Sequence, residues 1–125
     1  MKKQIINSTK APKPIGPYSH SVLANGNLYI SGQLGVNPES GKLKNTLSEQ
    51  TTQSLINLGH ILEEAHMSYE HVNKTTLFIT DMAHFSEVND IYHTFFTENY
   101  PARSCVAVKL LPMNALFEIE VIASI

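Results

Sequence analysis

"YSHSVLANGNLYISGQLGV" runs from Tyr18 to Val36, and its centre decides the fold. Asn25-Gly26 stands between two runs rich in Val, Leu, Tyr and Ile. The tightest hairpin turn needs positive φ at both central residues, which Asn and Gly reach at least cost. Two antiparallel strands are therefore predicted, at about 18–24 and 27–33. On this reading Tyr18 starts the first strand and Ser31 ends the second. Upstream, "APKPIGP" (11–17) follows a few extended residues at Gln4–Asn7. Proline fixes φ and withholds a donor, so this stretch is an ordered arm or a loop.

Downstream, "NPESGKLKNT" (37–46) reads as a loop. Thr46 and Glu49 have the spacing of a capping box. Leu55, Leu58, Leu62 and Ala65 then recur at helical intervals, predicting a helix over about 47–66. "VNKTTLFITD" (72–81) is β-branched and apolar, predicting a strand near 71–80. Phe85, Val88, Tyr92 and Phe95 restore the helical period over about 83–98. Two strands close the chain. In the first, Arg103, Cys105, Ala107 and Lys109 share one face, with Val106, Val108 and Leu110 on the other. In the second, Phe117, Ile119 and Val121 alternate with Glu118 and Glu120.

The order β-β-β-α-β-α-β-β describes a single layered α+β domain over residues 1–125, with one sheet and two helices. Two helices cover one face of such a sheet. The other face carries Tyr29, Phe78 and Cys105, or their neighbours of opposite parity, and a partner subunit is expected to cover part of it.

The chain has 125 residues, 42% of them hydrophobic and 16% charged, with a net charge of −2. That is an ordinary globular composition. It lacks the basic footprint of strong non-specific nucleic-acid binding. One cysteine makes no internal disulfide. No secretory leader and no apolar run of membrane-spanning length is seen, so a cytoplasmic protein is expected.

Several chemistries lack their motifs. The six histidines, at 20, 60, 66, 71, 84 and 93, contain no H-x-x-x-H pair. There is no C-x-x-C, no G-x-G-x-x-G, no P-loop and no G-x-S-x-G. Metal, dinucleotide and serine-hydrolase readings therefore have no support.

What stands out is Arg103, the one arginine beside eight lysines, at the mouth of the apolar strand "YPARSCVAVKLLP" (100–112). A surface arginine most often joins an ion pair worth ~0–1 kcal/mol. Its planar fork is also the side chain best suited to grip a carboxylate. A glutamate beside such an arginine, Glu118 or Glu120, has the chemistry to hold or deprotonate a water. Cys105 has a simpler reading as a small buried hydrophobe. Ser31-Gly32, at an expected strand end, offers backbone donors to a ligand.

Four segments together, "IGPYSHSV" (15–22), "ISGQLGV" (30–36), "NYPARSCVAV" (99–108) and "FEIEVIA" (117–123), resemble the reactive intermediate deaminase family, RidA or YjgF-type. "DMAHFSEVNDIYHTFF" (81–96) resembles the segment preceding P-A-R in that family, so the likeness covers nearly all of the chain. It implies a chorismate-mutase-like fold, a mixed sheet of about six strands packed against two helices, assembled as a homotrimer with ligand clefts between subunits. It also implies hydrolysis of 2-imino acids, or their enamine tautomers, to 2-keto acids and ammonia, with no cofactor and no metal. These imines are released by pyridoxal-phosphate enzymes. By matching position, Arg103 binds the substrate carboxylate and Glu118 activates the water. Tyr18, Ser31, Gly32, Asn89 and Cys105 line the pocket. Three departures bear on substrate preference: His20 where many members have glutamine, Met113 where lysine is common, and a stretch between Phe96 and Pro101 shorter than in some members. Relatives have also been described as endoribonucleases or translation inhibitors, and a non-catalytic binder of small carboxylates would use the same arginine.

Overall fold

The computed structural model describes residues 2–125. Eight regular elements follow in chain order: β1 (Gln4–Ile6), β2 (Ser21–Ala24), β3 (Asn27–Leu34), α1 (Leu47–Glu64), β4 (Val72–Ile79), α2 (Phe85–Phe95), β5 (Ala102–Ala107) and β6 (Phe117–Ser124). The strands form one sheet in the order β1-β2-β3-β6-β4-β5. Only the β4–β5 pairing is parallel, with α2 as the crossover; the other pairings are antiparallel. The sheet is thus mixed, as expected.

Local chemistry accounts for the element ends. Asn25 and Gly26 take φ of 54° and 78°, the left-handed pair that the β2–β3 turn requires. Thr46 caps α1, and the reciprocal bond from its own amide to Glu49 completes the box. The helix stops at Glu64, two residues early, and His66 turns out of it with φ of 60°. α2 is shorter than the periodicity suggests. Asp81 accepts from the Ala83 amide and caps a single 3-10 turn over Met82–His84, and the regular helix runs from Phe85 to Phe95.

Both helices lie on the same side of the sheet. Leu28, Ile30, Leu77, Ile79, Phe117, Ile119 and Val121 meet Leu55, Leu58, Ile61, Leu62, Val88 and Tyr92 in one buried core. Asn57, wholly buried in α1, donates to the carbonyls of Leu34 and Val36 and ties the end of β3 to the helix. Gly35 lies so close to the Gln50 backbone that a Cβ would overlap it.

The opposite face has no cover among the described residues. Cross-strand rows on that side run Ile5–Val22–Tyr29–Ile122 and Leu34–Glu118–Phe78–Val106. Ile5, Tyr29, Ile122 and Val106 on these rows are exposed. Tyr29 and Phe78 sit there, and on β5 the neighbour of opposite parity, Val106, stands in place of Cys105. Cys105 pairs with Leu77, in the helix-facing row. No helix is long and apolar enough to cross a membrane, among the described residues.

Candidate active site

Arg103 lies on β5, an edge strand, opposite Thr75 of β4, which in turn pairs with buried Val121 of β6. The side chain therefore rises on the helix side of the sheet. Its guanidinium carbon sits 4.8 Å from the ring centre of Tyr92 and 5.3 Å from that of Phe85. Nη1 donates to Asn89 Oδ1 at 2.7 Å. Phe85, Asn89 and Tyr92 are spaced i, i+4 and i+7, so α2 offers all three from one face. The Tyr92 hydroxyl is fixed from behind by Thr75 Oγ1 at 2.9 Å, within the core. Burial raises the Tyr92 phenol above its ordinary value, partly offset by that hydrogen bond and by the charge of Arg103.

This arrangement answers why the chain's lone arginine stands at a strand mouth. Among the described residues the ion pair formed is Lys10–Glu63, and Arg103 has no carboxylate partner. Its plane is held by two aromatic faces and one neutral amide, an orientation that leaves a cationic fork available to an anion. Asn89, Tyr92 and Arg103 line a shallow cleft with His93, Tyr100 and Pro101. Cys105 is half-buried two residues along the same face. Burial pushes its thiol up more than Arg103 pulls it down, so at neutral pH it is a thiol rather than a thiolate nucleophile.

Glu118 occupies the other face. It pairs with Phe78 and Leu34 in the uncovered row, one residue out of phase with buried Phe117 and Ile119. Its carboxylate lies across Gly32, where an added Cβ would stand 2.8 Å from Glu118 Cδ. Glycine at position 32 is thus the residue that makes room for it. Burial, and then the neighbouring charge of Glu120, raise the Glu118 carboxyl above its ordinary value. A carboxyl shifted in this direction is a better proton acceptor than an ordinary glutamate.

Ser31 does not end a strand. β3 continues to Leu34, and Ser31-Gly32 forms an irregularity in its register against β6 between Ile30 and Gln33. The Ser31 amide donates to the His20 carbonyl at 2.9 Å and its hydroxyl to the Ser19 carbonyl at 2.6 Å. Those donors fasten the segment before β2. Tyr18 belongs to that segment, not to the strand, because β2 begins only at Ser21. Its ring is half-exposed. Met113 stands exposed in the turn before β6, in the left-handed region with φ of 60°. Lys109 lies beyond the end of β5, which closes at Ala107.

The expected site residues therefore form two groups. Arg103, Asn89 and Cys105 are on the helix side. Glu118 and Gly32 are on the uncovered side, linked through Ser31 to the Tyr18 segment. A sheet one layer thick separates them. Phe85 and Tyr92 had been legible in the sequence only as helix-core positions; their role as a platform for Arg103 needed the placement of α2.

A family profile described as Endoribonuclease L-PSP matches residues 8–125. The chain belongs to the YjgF/RidA family. A RutC family protein of Aquifex aeolicus is 49% identical over 120 residues, covering 94% of this chain and 96% of that one. The human 2-iminobutanoate/2-iminopropanoate deaminase is 42% identical over 122 residues, covering 97% and 89%. The crystal structure of E. coli TdcF with bound serine superposes with a TM-score of 0.94 at 38% identity, covering 98% of each chain. This RidA-family chain thus shares its mixed sheet and two helices with its relatives, and relatives named as imine deaminases support an enzyme of that kind.

Proposed function

We propose that the protein hydrolyses small 2-imino acids, such as 2-iminobutanoate and 2-iminopropanoate, to 2-keto acids and ammonia. The observation that carries this reading is Arg103. Its guanidinium is oriented by Phe85, Tyr92 and Asn89 and lacks a carboxylate partner among the described residues. The substrate carboxylate supplies the missing anion through two parallel hydrogen bonds. The bound serine in the TdcF structure is a small carboxylate-bearing molecule of the same class.

An iminium carbon is already electrophilic, so orientation and one activated water supply much of what the reaction needs. Water oxygen adds to the C=N carbon while Glu118 takes one of its protons. The resulting carbinolamine receives that proton at nitrogen. The C–N bond breaks, the hydroxyl becomes the keto group, and ammonia leaves with a proton. Glu118, with its raised carboxyl, is suited to both transfers.

Arg103 and Glu118 face opposite ways in one chain, so the proposed site requires two copies. Arg103 and Asn89 come from one subunit, and Glu118 and the Tyr18 segment from the next. The uncovered apolar rows of the sheet supply the surface on which copies meet. A homotrimer is the assembly proposed, with the small acid as its only other partner. The chain's negative net charge and its one arginine weigh against RNA as substrate.

Generating 2-iminobutanoate in place from threonine and a dehydratase tests the reading. Wild type is expected to accelerate release of 2-oxobutyrate, and Arg103→Ala to abolish the acceleration. Binding of 2-oxobutyrate without acceleration would make the protein a carboxylate binder instead. Cleavage of RNA at physiological salt, equal in wild type and Arg103→Ala, would place it among nucleases.

A further inference from the structure

His20 is 2% exposed, and every polar group it owns is bonded. Its amide donates to Asn7 Oδ1 at 2.7 Å, and its carbonyl accepts from the Ser31 amide at 2.9 Å. The ring closes on the N-terminal arm at two points. Nδ1 accepts from the Ser8 amide at 3.0 Å, and Nε2 contacts the Pro12 carbonyl at 2.6 Å. An acceptor at Nδ1 and a donor at Nε2 assign the neutral tautomer with its proton on Nε2. One residue thus joins the arm, through its ring, to the irregular stretch of β3 beside Gly32 and Glu118, through its backbone carbonyl.

We propose that His20 is a positioning residue whose neutral imidazole clasps the N-terminal arm and thereby sets the Tyr18–Ser31 rim of the site, and that acid opens the clasp. The inference rests on the deaminase reading for what the rim does, but not for the clasp itself. Protonation places an N–H at Nδ1 facing the Ser8 N–H, two donors in a buried space with no acceptor between them. Charged and titratable side chains on the surrounding segments include Lys10 and Lys13 on the arm, Tyr18 before β2, Glu63 and Glu64 on α1, His66 just beyond it, and Glu118 against Gly32. Lys10 Nζ pairs with Glu63 Oε1 at 3.5 Å, and none of these side chains bonds to the ring. Ser31 bonds both neighbouring carbonyls, of Ser19 and His20. A released arm therefore frees the Tyr18 segment on one side while Ser31 still holds it on the other, a loosened rim in a chain that stays folded.

The test compares wild type, His20→Gln and His20→Ala over about pH 8 to about pH 5. Two quantities are read: hydrogen-exchange protection of the Ser8 amide, and affinity for 2-oxobutyrate by calorimetry. A glutamine offers the same acceptor and donor without titrating. In wild type, acid is expected to lower Ser8 protection and weaken binding about fivefold, the equivalent of one net hydrogen bond. In His20→Gln both should stay level, apart from any change shared with wild type through Glu118. His20→Ala should show the acid state at every pH. If His20→Ala does not fold, the difference between wild type and His20→Gln decides alone. An acid dependence of Ser8 protection identical in wild type and His20→Gln overturns the clasp. Protection that changes while affinity does not overturns the positioning role. Absence of any 2-oxobutyrate binding in wild type overturns the deaminase reading and the rim role together, while Ser8 protection still judges the clasp.

Discussion

At the scale of single residues, the structure separates charge from chemistry. Arg103 is held flat by aromatic faces, and lysine at 103 keeps the charge but loses the fork and the stacking. Arg103→Lys is expected to lower kcat/KM by at least ~100-fold, about 2.7 kcal/mol of transition-state binding, measured in the coupled keto-acid assay. Glu118 acts in the proposed reaction as an ionised base, and its carboxyl is raised by burial and by Glu120. Activity should therefore fall on acidification at a higher pH than an ordinary glutamate would give, and a pH–rate profile checks this. The stability effect has the opposite sense. A folded carboxyl that holds its proton more tightly than the unfolded one contributes stability at low pH, lost as pH rises through the raised value. Glu118→Gln should accordingly raise Tm at neutral pH while lowering kcat, read by thermal unfolding beside the assay. Gly32→Ala should lower kcat as well, because the added methyl takes the space of the Glu118 carboxylate.

At the scale of elements, α2 is the part that builds the arginine site, and beside its apolar packing one buried polar contact ties it to the sheet. Tyr92 reaches Thr75 Oγ1 at 2.9 Å while its ring packs against Phe96, 4.6 Å between centres. Tyr92→Phe leaves the Thr75 hydroxyl without that partner in the core, at a cost of about 1–3 kcal/mol. Its ring still faces Arg103, so denaturant stability should fall much more than affinity for a 2-oxo acid. α1 has the corresponding weak point at its start. Thr46→Ala removes the cap of the box at a cost of about 1 kcal/mol, which urea unfolding would register as a lower midpoint with an unchanged m-value.

At the scale of the whole molecule, the two-sided placement of Arg103 and Glu118 makes assembly a condition of the proposed activity. Solution mass should be three times the chain's 13.9 kDa. Val106→Glu, on the exposed row that includes Phe78 and Glu118, should dissociate the assembly and remove activity with the subunit still folded. Complementation gives a sharper outcome. Arg103→Ala and Glu118→Gln, each impaired alone, should regain activity when refolded together in equal amounts. Chance mixing in a cyclic trimer unites an intact arginine with an intact glutamate at about one site in four. A site built within one subunit would show no recovery.

The sequence by itself determined the elements and the family. Asn25-Gly26, the Thr46–Glu49 box and the two apolar helical faces each specify local geometry through neighbours a few residues away, and the P-A-R and F-E-I-E segments carry the likeness to the family. Alternation in β6 also placed Phe117 and Glu118 on opposite faces. It did not say which of them shared a face with Arg103. That relation depends on the pairing of β5 with β4 and of β4 with β6, on register irregularities at Ile30/Gln33 and Val72/Lys74, and on the side that α2 packs against. Each of these is a contact between segments distant in sequence. Tertiary structure alone therefore put the arginine and the glutamate back to back, assigned Ser31's donors to the segment before β2, and buried His20 under the N-terminal arm.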